Sequence, residues 1–246
     1  MRTTRLMMGM PITVEIARDF HGTLTGTVFD YFDRVDRRFS TYKSDSEIEA
    51  INRGAIDVTD CSAEMRDVLD LAEQTRRDSC GYFDISRGDG TMDPSGIVKG
   101  WAIRNAAKLV MDAGHGDFFI DAGGDIQSAG KNGCGRPWRV GVRNPFNEQE
   151  IVKVLVPHGH GIATSGSYVR GHHIYDPYER GRQLTEIVSL TVIGPDVLEA
   201  DRFATAAFAM GRDGIAFIEG RDGLEGYAIA SDGTAAATTG FGAFCL

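Results

Sequence analysis

Cysteine, proline and positive charge are all scarce in this chain, and long apolar runs are missing. Seven prolines and four cysteines occur in 246 residues. Cys61, Cys80, Cys134 and Cys245 are widely spaced and form no CxxC pair, which excludes a zinc ribbon and a redox dithiol. In a reducing compartment they are expected to be free thiols. Lysine and arginine number 26 against 35 aspartates and glutamates, a formal charge of −9. A general nucleic-acid binder needs a basic face, so that class is set aside. No apolar stretch approaches the ~20 residues needed to span a bilayer. The start, Met1-Arg-Thr-Thr-Arg-Leu-Met-Met-Gly, carries charge but no apolar core of leader length, so a cytoplasmic protein is expected. Charged (25%) and hydrophobic (42%) fractions are those of an ordinary globular protein, which argues against disorder. No internal repeat, low-complexity tract or linker stands out, so residues 1–246 are expected to form one domain.

The patterning that is present mixes both kinds of element. Ile12, Val14 and Ile16 alternate with polar neighbours and predict a strand over 11–17. Val28, Phe32, Val35 and Phe39 recur at helical spacing and predict an amphipathic helix over 26–39. Met65, Val68, Leu69 and Ala72 predict another over 62–78, with Ser62 as its N-cap. A third helix is expected over 97–113, stopped by Gly114. Strands are expected at 118–120, 138–142, 151–156, 162–164, 187–193 and 224–230, and helices at 198–210 and 214–219. Strands and helices do not alternate strictly, which favours an α+β fold over a doubly wound parallel sheet.

Glycine is the one residue in excess, 31 of 246, against a usual share of about 7%. Seventeen of the 31 lie in residues 81–171, where the polar blocks also cluster. Asp93-Pro-Ser-Gly-Ile-Val-Lys opens the third helix. A helix start offers unpaired N–H groups to an anion, and Lys99 one turn on would add a charge; from this block alone a capped helix with a surface lysine is the commoner reading. Asp121-Ala-Gly-Gly-Asp125 places two carboxylates around glycines that permit close backbone approach, or forms a tight turn. Thr164-Ser-Gly-Ser-Tyr and His173-Ile-Tyr-Asp-Pro bring hydroxyls, a histidine and an aspartate within a short stretch. Asp201 and Thr205, at i and i+4 of a helix, share a face. Carboxylate plus hydroxyl is the hard-oxygen set that magnesium prefers, although such neighbours also abound on ordinary helices.

The order of these blocks is more specific than any one of them. Met8-Gly9, Phe39-Ser-Thr-Tyr-Lys-Ser-Asp-Ser-Glu-Ile-Glu-Ala-Ile-Asn, the Asp93, Asp121 and Thr164 blocks, His173-Ile-Tyr-Asp-Pro and Ala200-Asp-Arg-Phe-Ala-Thr-Ala follow one another along the chain. Together they resemble the FAD:protein FMN transferase (ApbE) family from about residue 6 to about residue 230. The resemblance implies an α+β, T-fold-like architecture with mixed, largely antiparallel sheets and packed helices. It implies an enzyme that takes FAD as substrate and uses Mg²⁺, moves FMN onto a threonine or serine of a target flavoprotein, and releases AMP. The acceptor sequence it implies is D-G-x-[ST]-[GA]-[AST]-[ST]. Some relatives mainly hydrolyse FAD to FMN and AMP, and a non-catalytic FAD-binding module is a further alternative. The implied metal ligands are Asp201, Thr205 and the backbone carbonyl near Gly96. Met8, Ser40, Thr41, Tyr42, Asp93, Lys99, Gly123, Gly124, Thr164 and Ser165 fall at implied FAD-binding positions. His173 or Asp125 would serve as base for the acceptor hydroxyl. Tyr42 would stack on a cofactor ring, and Lys99 with the helix start would hold phosphate charge. Asp232-Gly-Thr-Ala faintly resembles the acceptor sequence itself, but Ala235 stands where its hydroxyl should be, so a plain terminal segment is expected.

Overall fold

A computed structural model of the chain describes residues 2–19, 21–166, 177–179 and 184–246. Its frame is an eight-stranded sheet in the order β1-β2-β3-β4-β7-β8-β9-β10, with every neighbouring pair antiparallel. The strands are β1 (Arg2–Met7), β2 (Met10–Ile16), β3 (Phe118–Ala122), β4 (Asp125–Ala129), β7 (Gly161–Gly166), β8 (Ile187–Gly194), β9 (Glu225–Ala230) and β10 (Ala235–Ala237). A separate hairpin pairs β5 (Val140–Asn144) with β6 (Asn147–Leu155).

Four helices intervene between β2 and β3: α1 (Thr23–Phe39), α2 (Glu47–Asn52), α3 (Ala63–Asp78) and α4 (Ser95–Asp112). Two more, α5 (Val197–Ala209) and α6 (Gly214–Glu219), lie between β8 and β9. The apolar stripe of α1 is buried as its spacing predicts: Val28, Phe29, Phe32, Val35 and Phe39 all join the core. Each such side chain contributes about 1.5–3 kcal/mol on burial. Ser62 caps α3 by accepting the Met65 N–H at 3.2 Å.

Strand alternation divides the core. Phe118 and Ile120 of β3 face α1 and α4, whereas Phe119 between them faces the β5–β6 side. Val140, Val142 and Leu155 from the hairpin close that second face with Ile126, Ile162 and Ile193. Helices α4 and α5 pack on each other and on the first face. Their close approach depends on Gly100, where an added Cβ would lie 2.8 Å from Asp201 Cβ and 3.0 Å from Leu198 Cα. The start of α5 is fixed twice. Asp196 accepts the Leu198 and Glu199 N–H groups at 2.9 and 3.0 Å. Gln127 on β4 accepts the Val197 N–H at 2.8 Å while donating to the Gly159 carbonyl at 2.9 Å. Among the described residues, no helix is long and apolar enough to cross a membrane.

Candidate active site

The helix pair and the sheet meet at a cavity of about 600 Å³, within the usual size range for small-molecule sites. Its lining comes from many parts of the chain: Gly9 to Pro11 and Thr13 near β2, Tyr82 to Ile85 and Arg87, the start of α4, the β3–β4 turn, Val140–Arg143 of β5, Thr164–Gly166 of β7, Thr191, and one face of α5. Sequence segments more than a hundred residues apart therefore share one chamber.

Nine of the expected site residues line it: Asp93, Gly96, Lys99, Gly123, Gly124, Thr164, Ser165, Asp201 and Thr205. Asp201 is 3% exposed. The Gly100 N–H donates to its Oδ2 at 2.8 Å, and Lys99 Nζ lies 3.5 Å from its Oδ1. Burial pushes the Asp201 carboxyl up to about 7, against the pull of Lys99; nearby Asp125 adds to the rise. Thr205 lies one helical turn further along, and its methyl carbon is 3.6 Å from where a Gly96 Cβ would stand. The three residues of the metal set implied by resemblance, Asp201, Thr205 and Gly96, all line this one cavity. Gly96 is also packed against Phe83, whose ring would be 3.3 Å from a Cβ there.

Asp125 is 1% exposed. Its Oδ1 accepts the Thr164 N–H at 3.0 Å, and its Oδ2 lies 2.5 Å from Lys99 Nζ. The ladder between β4 and β7 holds only the pairs Ile126–Ile162 and Gln127–Gly161. Toward the cavity the side chain of Asp125 spans the strands instead. Lys99, read from sequence as a phosphate ligand, is therefore already ion-paired to two carboxylates. That finding was invisible in its own block, because both partners come from other elements.

The β3–β4 turn carries Gly123 at φ 62° and Gly124 at φ 100°, a backbone that disfavours any side chain. Asp121 accepts the Gly124 N–H at 2.8 Å. Burial raises the Asp121 carboxyl, opposed by that N–H and reinforced by Asp125. Asp93 behaves oppositely. Burial pushes it up, but the Arg87 guanidinium at 2.8 Å and the Ser95 N–H at 3.1 Å outweigh this and leave it below the usual range.

The other expected residues sit elsewhere. Met8 occupies the β1–β2 turn with φ 52° and packs on the core; its neighbour Gly9, not Met8, lines the cavity. Ser40, Thr41 and Tyr42 follow α1 and stand off the cavity, with Tyr42 97% exposed. His173 lies outside the described residues. Sequence reasoning missed Arg87, the partner of Asp93; Thr191, whose hydroxyl is 2.9 Å from that of Thr164; and Gly100, which lets the two helices pack closely. The Arg87–Asp93 spacing across a turn was the one signal available for the first.

Two buried acids, Asp125 and Asp201, thus flank Lys99, with half-buried Asp121 near Asp125. Among the described residues no three acidic, histidine or cysteine side chains cluster closely enough to hold a metal ion by themselves, so a cation here would also need hydroxyl or backbone oxygens.

Comparison with known proteins places this chamber in context. A model of the ApbE family matches residues 8–91 and 86–228. A protein from Escherichia coli (strain K12) named FAD:protein FMN transferase is 35% identical over 162 residues, 62% of this chain and 46% of that one. One of the same name from Klebsiella pneumoniae (strain 342) is 35% identical over 152 residues, 58% of this chain and 43% of that protein. The matched stretch thus spans about half the length of these relatives. Among solved structures, the flavin transferase ApbE from Vibrio cholerae superposes with a TM-score of 0.85 at 23% identity, covering 99% of this chain and 98% of that one. The ApbE protein from Thermotoga maritima gives 0.88 at 21% identity, over 99% and 98%. The fold is therefore shared nearly end to end, the family match takes in every cavity segment from Gly9 to Thr205, and the chain belongs to the ApbE family.

Proposed function

We propose that this chain transfers the FMN part of FAD to a threonine or serine hydroxyl of a target flavoprotein, releasing AMP, with Mg²⁺ as cofactor. The observation that carries the reading is the convergence of Asp201, Thr205 and the Gly96 backbone on a cavity floored by acids. The named relatives supply the identity of the substrate.

The donor set fits magnesium. It is all oxygen, with Asp201 buried and Thr205 and Gly96 half-buried, and the Asp201 carboxylate carries a charge that burial resists. When bound, the ion would neutralise charge on the pyrophosphate in the transition state. The chain's own residues do the rest. The Gly100 N–H fixes the orientation of Asp201. Lys99, pinned by Asp125, keeps a positive charge near the reacting phosphates without swinging free. Gly123 and Gly124 let the backbone approach a bulky ligand. Asp93, held ionised by Arg87, offers acceptors to the hydroxyl or amino groups of the cofactor. Asp125 is committed to the Thr164 N–H and Lys99, which favours His173 over it as the base for the acceptor hydroxyl.

The test is incubation with FAD, Mg²⁺ and a flavoprotein carrying D-G-x-[ST]-[GA]-[AST]-[ST]. Acid-stable flavin on the acceptor, matched by AMP in equal amount, is the expected result. Intact FAD would overturn the enzymatic reading, and AMP release without flavin attachment would replace transfer by hydrolysis.

A further inference from the structure

We infer that the β5–β6 hairpin receives the protein acceptor: the segment bearing the reacting hydroxyl lies extended along the outer edge of β5, with its acidic residue against Arg143. The inference rests on the transferase reading above and assigns a surface that reading leaves open.

The edge geometry comes first. Val140, Gly141, Val142 and Arg143 all line the cavity. Side chains along a strand alternate between faces, so four consecutive lining residues mean that the strand's edge borders the chamber. β6 is the only strand paired with β5 among the described residues. In an antiparallel pair every second residue turns its N–H and C=O away from its partner. Such an edge is a template for an extended peptide, and here it borders the chamber that holds Asp201 and Lys99.

Surface chemistry supports the same occupant. Phe146 at the hairpin tip, Ile151 and Val154 are exposed at 55%, 48% and 37%. Ile151 pairs with Arg143 and Val154 with Gly141, and Ile151 lies across Gly141, where a Cβ would be 2.9 Å from its Cδ1. An apolar strip thus runs beside the β5 edge. Residues 130–155 carry five cations (Lys131, Arg136, Arg139, Arg143 and Lys153) against Glu148 and Glu150, in a chain of net charge −9. Arg143 is exposed on the cavity wall, where its charge pulls the Asp121 carboxyl down without a close ion pair among the described residues. The acceptor sequence that the family resemblance implies begins with aspartate, so its charge would complement this locally basic arm and not the acidic remainder.

The experiment uses the full chain, FAD, Mg²⁺ and a purified flavoprotein containing the acceptor sequence. Arg143→Glu and, separately, Ile151→Glu are expected to raise KM for the acceptor at least fivefold, with KM for FAD changing less than twofold. Changing the acceptor's aspartate to lysine should recover at least threefold of the loss with Arg143→Glu and none with the wild-type chain. An unchanged acceptor KM overturns the assignment. So does a parallel rise in KM for FAD, which would give the strip to the cofactor. A shift in sedimentation of the variants, the sign of a contact between two copies of this chain, overturns it as well. If the wild-type chain attaches no flavin, the transferase reading falls first and takes this one with it. Normal wild-type transfer with unaffected variants removes only the hairpin assignment.

Discussion

Gly100→Ala should weaken both the fold and the site, although alanine is the better helix former. The substitution gains about 1 kcal/mol of helix propensity. Against that, the new methyl would sit 2.8 Å from Asp201 Cβ, 3.0 Å from Asp201 Oδ2 and 3.0 Å from Leu198 Cα. One of these contacts is backbone, so relief requires α4 and α5 to separate. Overpacking of this kind costs about 1–3 kcal/mol, and three contacts on the facing helix put the value in the upper half. A net loss of about 1–2 kcal/mol follows, which for a chain of this size lowers Tm by roughly 2–8 °C. Because the Gly100 N–H orients Asp201, the Mg²⁺ concentration for half-maximal turnover should rise as well. Gly26→Ala is the control. Gly26 lies within α1, and a Cβ there meets nothing within 4 Å, so the protein should gain about 0.5–1 kcal/mol. Differential scanning calorimetry of both variants decides the matter. A Gly100→Ala protein as stable as Gly26→Ala would refute the packing argument.

Asp201→Ala should keep the far-ultraviolet circular dichroism of the parent and lose Mg²⁺-dependent AMP release by at least about a hundredfold; retained turnover would remove Asp201 from the metal set. Gly123→Ala should cost about 1–2 kcal/mol in urea denaturation, because φ 62° is strained for an L side chain. Asp19 accepts the Thr25 N–H and hydroxyl at 2.8 and 2.7 Å. Burial raises its carboxyl, but these bonds prevail and leave it below 3.8. Its stabilisation is present above pH 3.8 and fades as pH falls through the lowered folded-state value. Asp19→Ala should therefore cost about 1 kcal/mol at pH 7, and the gap to the parent should narrow in acid melts near pH 3.

Much of the framework was legible in the sequence because local rules and global burial agree there. Ser62 is a cap, the Val28–Phe39 stripe is a buried face, and Asp201 and Thr205 do open on one cavity. The α+β reading holds for the same reason. What escaped was structure without a periodic signal. Arg2–Met7 is an edge strand with mostly exposed side chains, so it lacks apolar alternation. Asp125–Ala129 reads as polar, yet its Asp125, Gln127 and Ser128 are all buried and bonded within a central strand. Glu47–Asn52 is too short to show a period. At the site, residue types were recoverable and pairings were not: Lys99 and Asp125 lie 26 positions apart in sequence, and only the fold makes them an ion pair.

The short ladder between β4 and β7 has a consequence for how this protein can change over time. Where the two strands part, a carboxylate stands in for the missing rung, and the same carboxylate anchors the lysine of the chamber. Sheet integrity and charge placement are thus welded into one side chain. Asparagine at 125 would keep the rung and release the lysine; leucine would sever both. Drift at this position is penalised twice, so its identity should outlast that of neighbours that only touch ligand.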